Sequence, residues 1–284
     1  MSKRKIRLRI IQYTFSIIVT LGILAPVVWM ILTSLMYPKD LTALPLKLIP
    51  DQITFSRYQE LFTDTNIDGA SYIFRAALLN SVIVAFFVTV FSLVVGSLAA
   101  YGFARLKFRF KNGLMMLTLF TYMIPPVALV IPMYMIFSQF NLLDNKSALV
   151  VLYLSFIIPF IIWVMQGFFG SISKSFEEAA EIDGASKLQT LVYVFAPIAR
   201  PGAIATGILA FLMSWDEFFY SLVFTSSLSA KTMPVAIAEF NGKFTIDYGM
   251  ISVAGFFASL IPVLVTLIFQ KYIVMGMTSG GVKE

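Results

Sequence analysis

From Phe176 to Pro197 the chain reads FEEAAEIDGASKLQTLVYVFAP, a polar interruption set between two long apolar stretches. Taken as helix, Phe176 to Ile182 leaves Glu177, Glu178 and Glu181 in solvent and gathers Ala179, Ala180 and Ile182 into a small apolar face. Asp183-Gly184 then stops the helix, because Gly accepts a positive φ without steric penalty, and a second helix is expected to begin near Ser186. Pro197 and Pro201 punctuate the exit into the next apolar stretch. The product is a bent helical hairpin with small residues on its outer face, a shape another protein can grip. The plainer alternative is a solvated charged connector.

The flanking sequence sets where this hairpin lies. Hydrophobic residues make up 59% of the chain and charged residues 13%, far from the soluble range and within the polytopic membrane class. A spanning helix needs about 20 largely apolar residues, because each backbone polar group must be satisfied within the segment. Six stretches meet that need, running approximately over residues 10–36, 76–103, 114–137, 148–169, 202–224 and 248–274. The first follows Lys3, Arg4, Lys5, Arg7 and Arg9 but is too long for a signal-peptide core and lacks a small-residue cleavage site, so it reads as an uncleaved span. Pro26 in the first span and Pro125 and Pro126 in the third are expected to be tolerated, with neighbouring helices satisfying the freed carbonyls.

Short basic loops remain on the cytoplasmic side. With the N-terminus inside, the inner segments hold fourteen of the 21 basic residues, including Arg105, Lys107, Arg109, Lys111, Lys174 and Lys187. The outer segments hold seven, against eight acids. Both termini are therefore expected in the cytoplasm of a bacterial cell, with the hairpin on the same side. The outer segments 37–75 and 225–247 do not read as folded domains, and Asn241, Gly242 and Lys243 read as part of a polar loop.

The run from Glu177 to Pro197 resembles the EAA motif of ABC importer permeases, with Glu178, Ala179, Ala180 and Gly184 at the motif positions. Val194-Phe195-Ala196-Pro197 stands where that motif usually ends Ile-x-Leu-Pro, and the changes keep an apolar face. Asn80-Ser81, the SLAAYGFARLKF run, SWDEFFYSLVF and the terminal GMTSGGVKE further resemble the MalG-type subunit of carbohydrate uptake systems. The resemblance implies an all-α polytopic membrane protein with six transmembrane helices, the type I ABC importer permease fold, and a cytoplasmic coupling helix. Residues 1–74 would then hold the N-terminal tail, first span and external loop, 75–270 a five-helix core with its EAA loop at 176–200, and 271–284 a cytoplasmic tail.

It further implies that Glu178, Ala179, Ala180, Gly184 and Pro197 couple to an ATPase, Glu178 by charge, the alanines by close packing and Gly184 by the turn. Ser279, Gly280 and Gly281 would let the tail reach the ATPase dimer. Implied partners are a MalF-like second permease, two ATP-binding subunits, an extracytoplasmic substrate-binding protein and membrane lipid. ATP and Mg would be bound by the partner subunits, with no cofactor in this chain and alternating access as the mechanism. No Gly-x-x-x-x-Gly-Lys-Ser/Thr run is present, so no phosphate cradle is expected here.

Asp216 and Glu217 fall about 14 residues into the fifth span, roughly 21 Å from its inner end. Charge at that depth belongs to a protein interior or a watery cavity. Adjacent helix positions diverge by about 100°, so the two acids are expected to face different linings. One reading is a substrate pathway in which a carboxylate accepts sugar hydroxyls while Trp215, Phe219 or Tyr220 offers an aromatic face. The other is interfacial, with snorkelling acids and an aromatic belt.

The chain contains neither Cys nor His, which removes disulfides, thiol nucleophiles, imidazole bases and common zinc or haem sites. An intramembrane lipid enzyme fails on that inventory, and no basic-aromatic groove for nucleic acid accompanies the +6 charge. The remaining competitors are an ion-coupled secondary transporter, which would not need the EAA loop, and an ABC permease for a polyol or glycerol phosphate. Apart from Lys271 near the inner end of the last stretch, the spans hold no Arg or Lys of the kind phosphate recognition needs, which tilts the reading toward a neutral carbohydrate.

Overall fold

A computed structural model describes residues 3–45, 47–64, 69–243 and 247–279. Among them the regular structure is helical, with one isolated β-bridge between Met36 and Ile53. The order is α1 (Lys3–Leu35), α2 (Pro38–Leu41), α3 (Ser56–Thr63), α4 (Ala70–Arg105), α5 (Lys111–Met123), α6 (Pro126–Gln139) and α7 (Lys146–Ser171). After these come α8 (Lys174–Ile182), α9 (Lys187–Gln189), a π-helical stretch (Thr190–Phe195), α10 (Ala196–Ile198), α11 (Arg200–Trp215), α12 (Phe219–Phe224), α13 (Met233–Lys243) and α14 (Tyr248–Ser279).

The α1, α4, α7 and α14 helices are each long and apolar enough to cross a membrane, and two bent helix pairs bring the number to six if each pair is one span. Pro26 lies inside an uninterrupted α1, as expected. Pro125 and Pro126 act differently from the expectation of a tolerated kink. The third stretch is broken there, and α5 and α6 meet at 90°. The residue before a proline is driven out of the helical region, and Ile124 takes ψ 122 while Pro125 itself takes ψ 134. Pro126 then occupies the first turn of α6, where its missing N–H costs nothing.

The fifth stretch is also not continuous. Helix α11 has 16 residues, about 24 Å, short of the hydrocarbon thickness. It ends with Asp216 as its C-cap, and α12 starts again at Phe219. Residues 37–75 and 225–247 likewise carry more helix than expected. Asn241, Gly242 and Lys243 close α13 rather than lying in a loop, and α2 and α3 fall within 37–75.

The chain divides into two compact units, Met1–Arg75 with Ala236–Leu260, and Ala76–Val235 with Ile261–Glu284. In the first, α3 turns Arg57 and Leu61, one helical turn apart, into the interior. Arg57 donates Nε to Asp247 at 3.1 Å and Nη1 to the Met36 carbonyl, so a buried cation finds its partners on both sides. The Phe62 and Phe257 rings meet edge to face at 5.0 Å, and the Tyr58 hydroxyl lies 2.7 Å from Ser34 Oγ.

The second unit contains the site described below. Its core joins α4, α7, the π-helical stretch and α11 through residues such as Val88, Leu152, Ile157, Ile161, Phe195 and Ala210. Helices in lipid gain little from the hydrophobic effect and depend on close packing. Gly96 supplies it, since a Cβ there would stand 2.5 Å from Ile161 Cγ2. Gly96→Val is expected to force α4 off α7 and cost about 1–3 kcal/mol. Gly113→Ala, which meets nothing within 4 Å, should leave stability unchanged. Thermal unfolding of the detergent-solubilised chain measures both, and equal Tm values would contradict this packing.

Candidate functional site

The hairpin quoted at the outset is closed by local hydrogen bonds. Helix α8 is capped at its start by Ser173, whose Oγ accepts from Ser175 N. At its end Gly184 takes φ +78. Its N–H donates to the Glu181 carbonyl at 3.1 Å, and that of Ala185 donates to the Ala180 carbonyl at 2.9 Å. This crossed pair of bonds terminates the helix and needs a left-handed residue between its arms. The second arm starts with a capping box, Ser186 exchanging bonds with Gln189.

Lys187 at the head of that arm bridges back to Glu177, at 3.0 Å, and to Glu181. These hydrogen bonds, to Glu181 first, raise the Lys187 ammonium well above the usual lysine value. Of the three acids expected in solvent, Glu177 is thus partly covered and Glu181 is occupied within the hairpin, leaving Glu178 exposed and outside the ion pairs of the described residues. The expected apolar face divides too. Ala179 and Ile182 are exposed, Ile182 to 86%, whereas Ala180 is buried and faces the chain's own body. Pro197 is exposed in α10.

The hairpin is fastened at Phe195, which is fully buried at the end of the π-helical stretch. The Tyr101 ring stands 5.3 Å from it and the Arg105 guanidinium 4.7 Å over its face. Arg105 also donates Nη2 to the carbonyls of Phe169, at 2.6 Å, and Ile172, closing the C-terminus of α7. One side chain therefore ties the ends of α4 and α7 to the hairpin. In the sequence Arg105 stands among the inner basic residues and within the SLAAYGFARLKF run, and neither carried a sign of this role.

The two helix breaks meet at one cleft of about 540 Å³. Tyr122, Ile124 and Pro126 line it from the α5–α6 break, and Glu217 and Tyr220 from the α11–α12 break. Phe156 of α7 completes it, its ring stacked on Tyr220 at 5.9 Å and 16°. Glu217 accepts from Tyr220 N at 2.8 Å and Ser221 N at 3.1 Å, capping α12. A carboxylate has about four lone-pair sites, so acceptor capacity remains toward the cleft. The Tyr153 hydroxyl is buried beside Glu217, Ser221 and Thr232 without reaching hydrogen-bond geometry.

Asp216 and Trp215 do not join this lining. Asp216 is exposed, while Trp215 is buried and stacked on Phe211 at 5.9 Å. The two acids do part company, through the end of a helix rather than the 100° step expected within one. Tyr122 and Phe156 were missed, although the Pro125-Pro126 pair was the available signal for a break beside Tyr122.

Behind the cleft, the 225–233 segment is pinned in place. Asn80 Nδ2 donates to the Leu228 and Lys231 carbonyls at 2.9 and 3.0 Å, and Ser81 Oγ accepts from Met233 N at 2.7 Å. Asp144 accepts from the Ser226 and Ser227 N–H groups at 3.0 and 2.9 Å. Burial pushes the Asp144 carboxyl up, but the Ser227 hydroxyl, these backbone bonds and the Lys231 charge outweigh it and hold the group below its usual value. At the other end of the chain Ser279 closes α14, and Gly280 and Gly281 lie outside the described residues.

The trehalose transport system permease protein SugB of Mycobacterium tuberculosis is 37% identical over 263 residues, covering 92% of each chain. The trehalose/maltose transport system permease protein MalG of Thermococcus litoralis is 32% identical over 276 residues, covering 97% of each. In fold, the chain is similar to one in a bacterial ABC transporter involved in the import of the acidic polysaccharide alginate, with TM-score 0.79, 24% identity and coverage of 96% of this chain and 98% of that one. The sequence profile described as "binding-protein-dependent transport system inner membrane component" matches residues 92–279. With two broken helices converging on a cleft and a capped hairpin at the end of its core, this multi-pass membrane chain belongs to that family of transport permeases.

Proposed function

We propose that this chain forms one half of the translocation pathway for a neutral sugar or oligosaccharide, and that its α8 hairpin is the handle by which a separate ATPase subunit drives it. The observation that carries the reading is the hairpin. It presents Glu178, Ala179 and Ile182 outward while Phe195 and Arg105 fasten it to α4 and α7. Ile182, 86% exposed, is an apolar knob standing clear of the described residues, as a docking residue requires. Ala180 serves the hairpin's own packing, Gly184 its turn and Pro197 its exit.

In this proposal both termini and the hairpin face the cytoplasm, where fourteen basic residues fall. A second permease, two ATP-binding subunits carrying ATP and Mg, and an extracytoplasmic binding protein complete the assembly, and the chain itself hydrolyses nothing. Closure of the ATPase pair rocks the paired permeases between inward- and outward-facing states. The residues around Ser279, Gly280 and Gly281 reach the same ATPase pair. Glu217 accepts hydroxyl hydrogen bonds in the cleft, with Tyr220, Tyr122 and Phe156 offering aromatic faces; Trp215 and Asp216 act from outside that lining. The sugar class is supported by the trehalose and maltose systems named among the relatives.

Two measurements test this. Ile182→Asp is expected to leave the Tm of the permease unchanged and to lower co-purification of the ATPase subunit at least about tenfold, the effect of losing an interface anchor. Undiminished ATPase capture would exclude the hairpin as the handle. Uptake of radiolabelled trehalose or maltose by cells carrying the complete system should fall about tenfold or more in Glu217→Gln, which weakens a charge-assisted acceptor, and little in Asp216→Asn. Parental uptake in Glu217→Gln would remove Glu217 from the pathway.

A further inference from the structure

Between α4 and α5 the chain reads Arg105-Leu106-Lys107-Phe108-Arg109-Phe110-Lys111, basic and apolar residues in alternation, with no acid anywhere from residue 101 to residue 143. Phe108 and Phe110 are 41% and 71% exposed. Phe110 takes φ 63, a left-handed conformation that is strained for a bulky side chain, and the Arg109 guanidinium sits 4.9 Å over its ring. Lys107, Phe108, Phe110 and Lys111 line a cleft of about 430 Å³ at the mouth of α5. Helix α5 buries none of its residues. Phe110, Leu114 and Leu117, exposed at helical spacing, therefore make an apolar stripe leading away from the cations.

We propose that this loop is a binding site for one anionic glycerophospholipid of the surrounding membrane. The phosphate pairs with Lys107 and Lys111, with Arg109 held alongside by its stack on Phe110, and an acyl chain lies along Phe110, Leu114 and Leu117. Charge complementarity decides for an anionic headgroup over a zwitterionic one. Continuity with the uncovered apolar face of α5 decides for a lipid over a soluble phosphate. Lys107 and Lys111 also border a second cleft shared with Lys174, Glu177, Glu178 and Glu181 of α8. Lys187 occupies Glu177 and Glu181, so Glu178 is the acid left to compete with the lipid.

The test uses the full chain in nanodiscs of phosphatidylcholine containing phosphatidylglycerol, with retained lipid counted by native mass spectrometry after transfer to detergent. The parent is expected to keep phosphatidylglycerol in preference to phosphatidylcholine. Each basic side chain near an anionic surface contributes about fivefold to lipid affinity, so Lys107→Gln with Lys111→Gln should weaken retention about 30-fold. Phe110→Gly relieves the φ 63 backbone and so folds at least as well, yet it should also lose lipid. Equal retention of both lipids, parental retention in both variants, or displacement by millimolar inorganic phosphate would overturn the proposal. Because no transport or ATPase docking is measured, the result stands apart from that of the hairpin tests.

Discussion

Hydrocarbon offers no water to a peptide group, so a chain that leaves helix at membrane depth must serve every exposed N–H and C=O by other means. Among the described residues of the second unit, the α5–α6 and α11–α12 breaks are each built to limit that cost. At the α5–α6 corner two successive prolines bring no N–H at all, so the 90° turn opens with few donors to satisfy. At the α11–α12 break Glu217 supplies the acceptors, taking the N–H groups of Tyr220 and Ser221. Both breaks border the same cleft, where irregular backbone and a charge can be held away from lipid.

A second constraint works at the far end of α4 and α7. Arg105 spends its donors on the Phe169 and Ile172 carbonyls and its face on Phe195. Close-packed interiors pass on displacement instead of absorbing it. A push on the α8 hairpin therefore reaches α4 and α7 through buried rings and a guanidinium, and not through a slack loop. The Gly184 turn and the Lys187 bridges keep the hairpin itself from deforming first.

The hairpin was the most legible part of the molecule because its information is local. A glycine after an acidic amphipathic turn, a Ser where a second helix can start and two prolines each dictate backbone within a few residues. The six apolar stretches were legible for a similar reason, since length and hydropathy are summed along the chain. Hydropathy, however, cannot tell a straight span from a folded one. Leu114 to Phe137 and Gly202 to Phe224 score as spans although each is broken. The bonding roles of Arg57, Asn80 and Asp144 were equally hidden, because their partners Asp247, Leu228 and Ser226 lie 190, 148 and 82 residues away.

What residue order alone determined is the set of properties carried within a helical turn or along one apolar run: membrane class, the number of stretches able to cross, and the capped, glycine-stopped hairpin. Which of two adjacent acids meets the cleft, which alanine of the Ala179-Ala180 pair turns inward and what Arg105 holds were decided only in three dimensions. Those outcomes depend on contacts between helices distant in sequence, where shape and distance select partners that no spacing along the chain encodes.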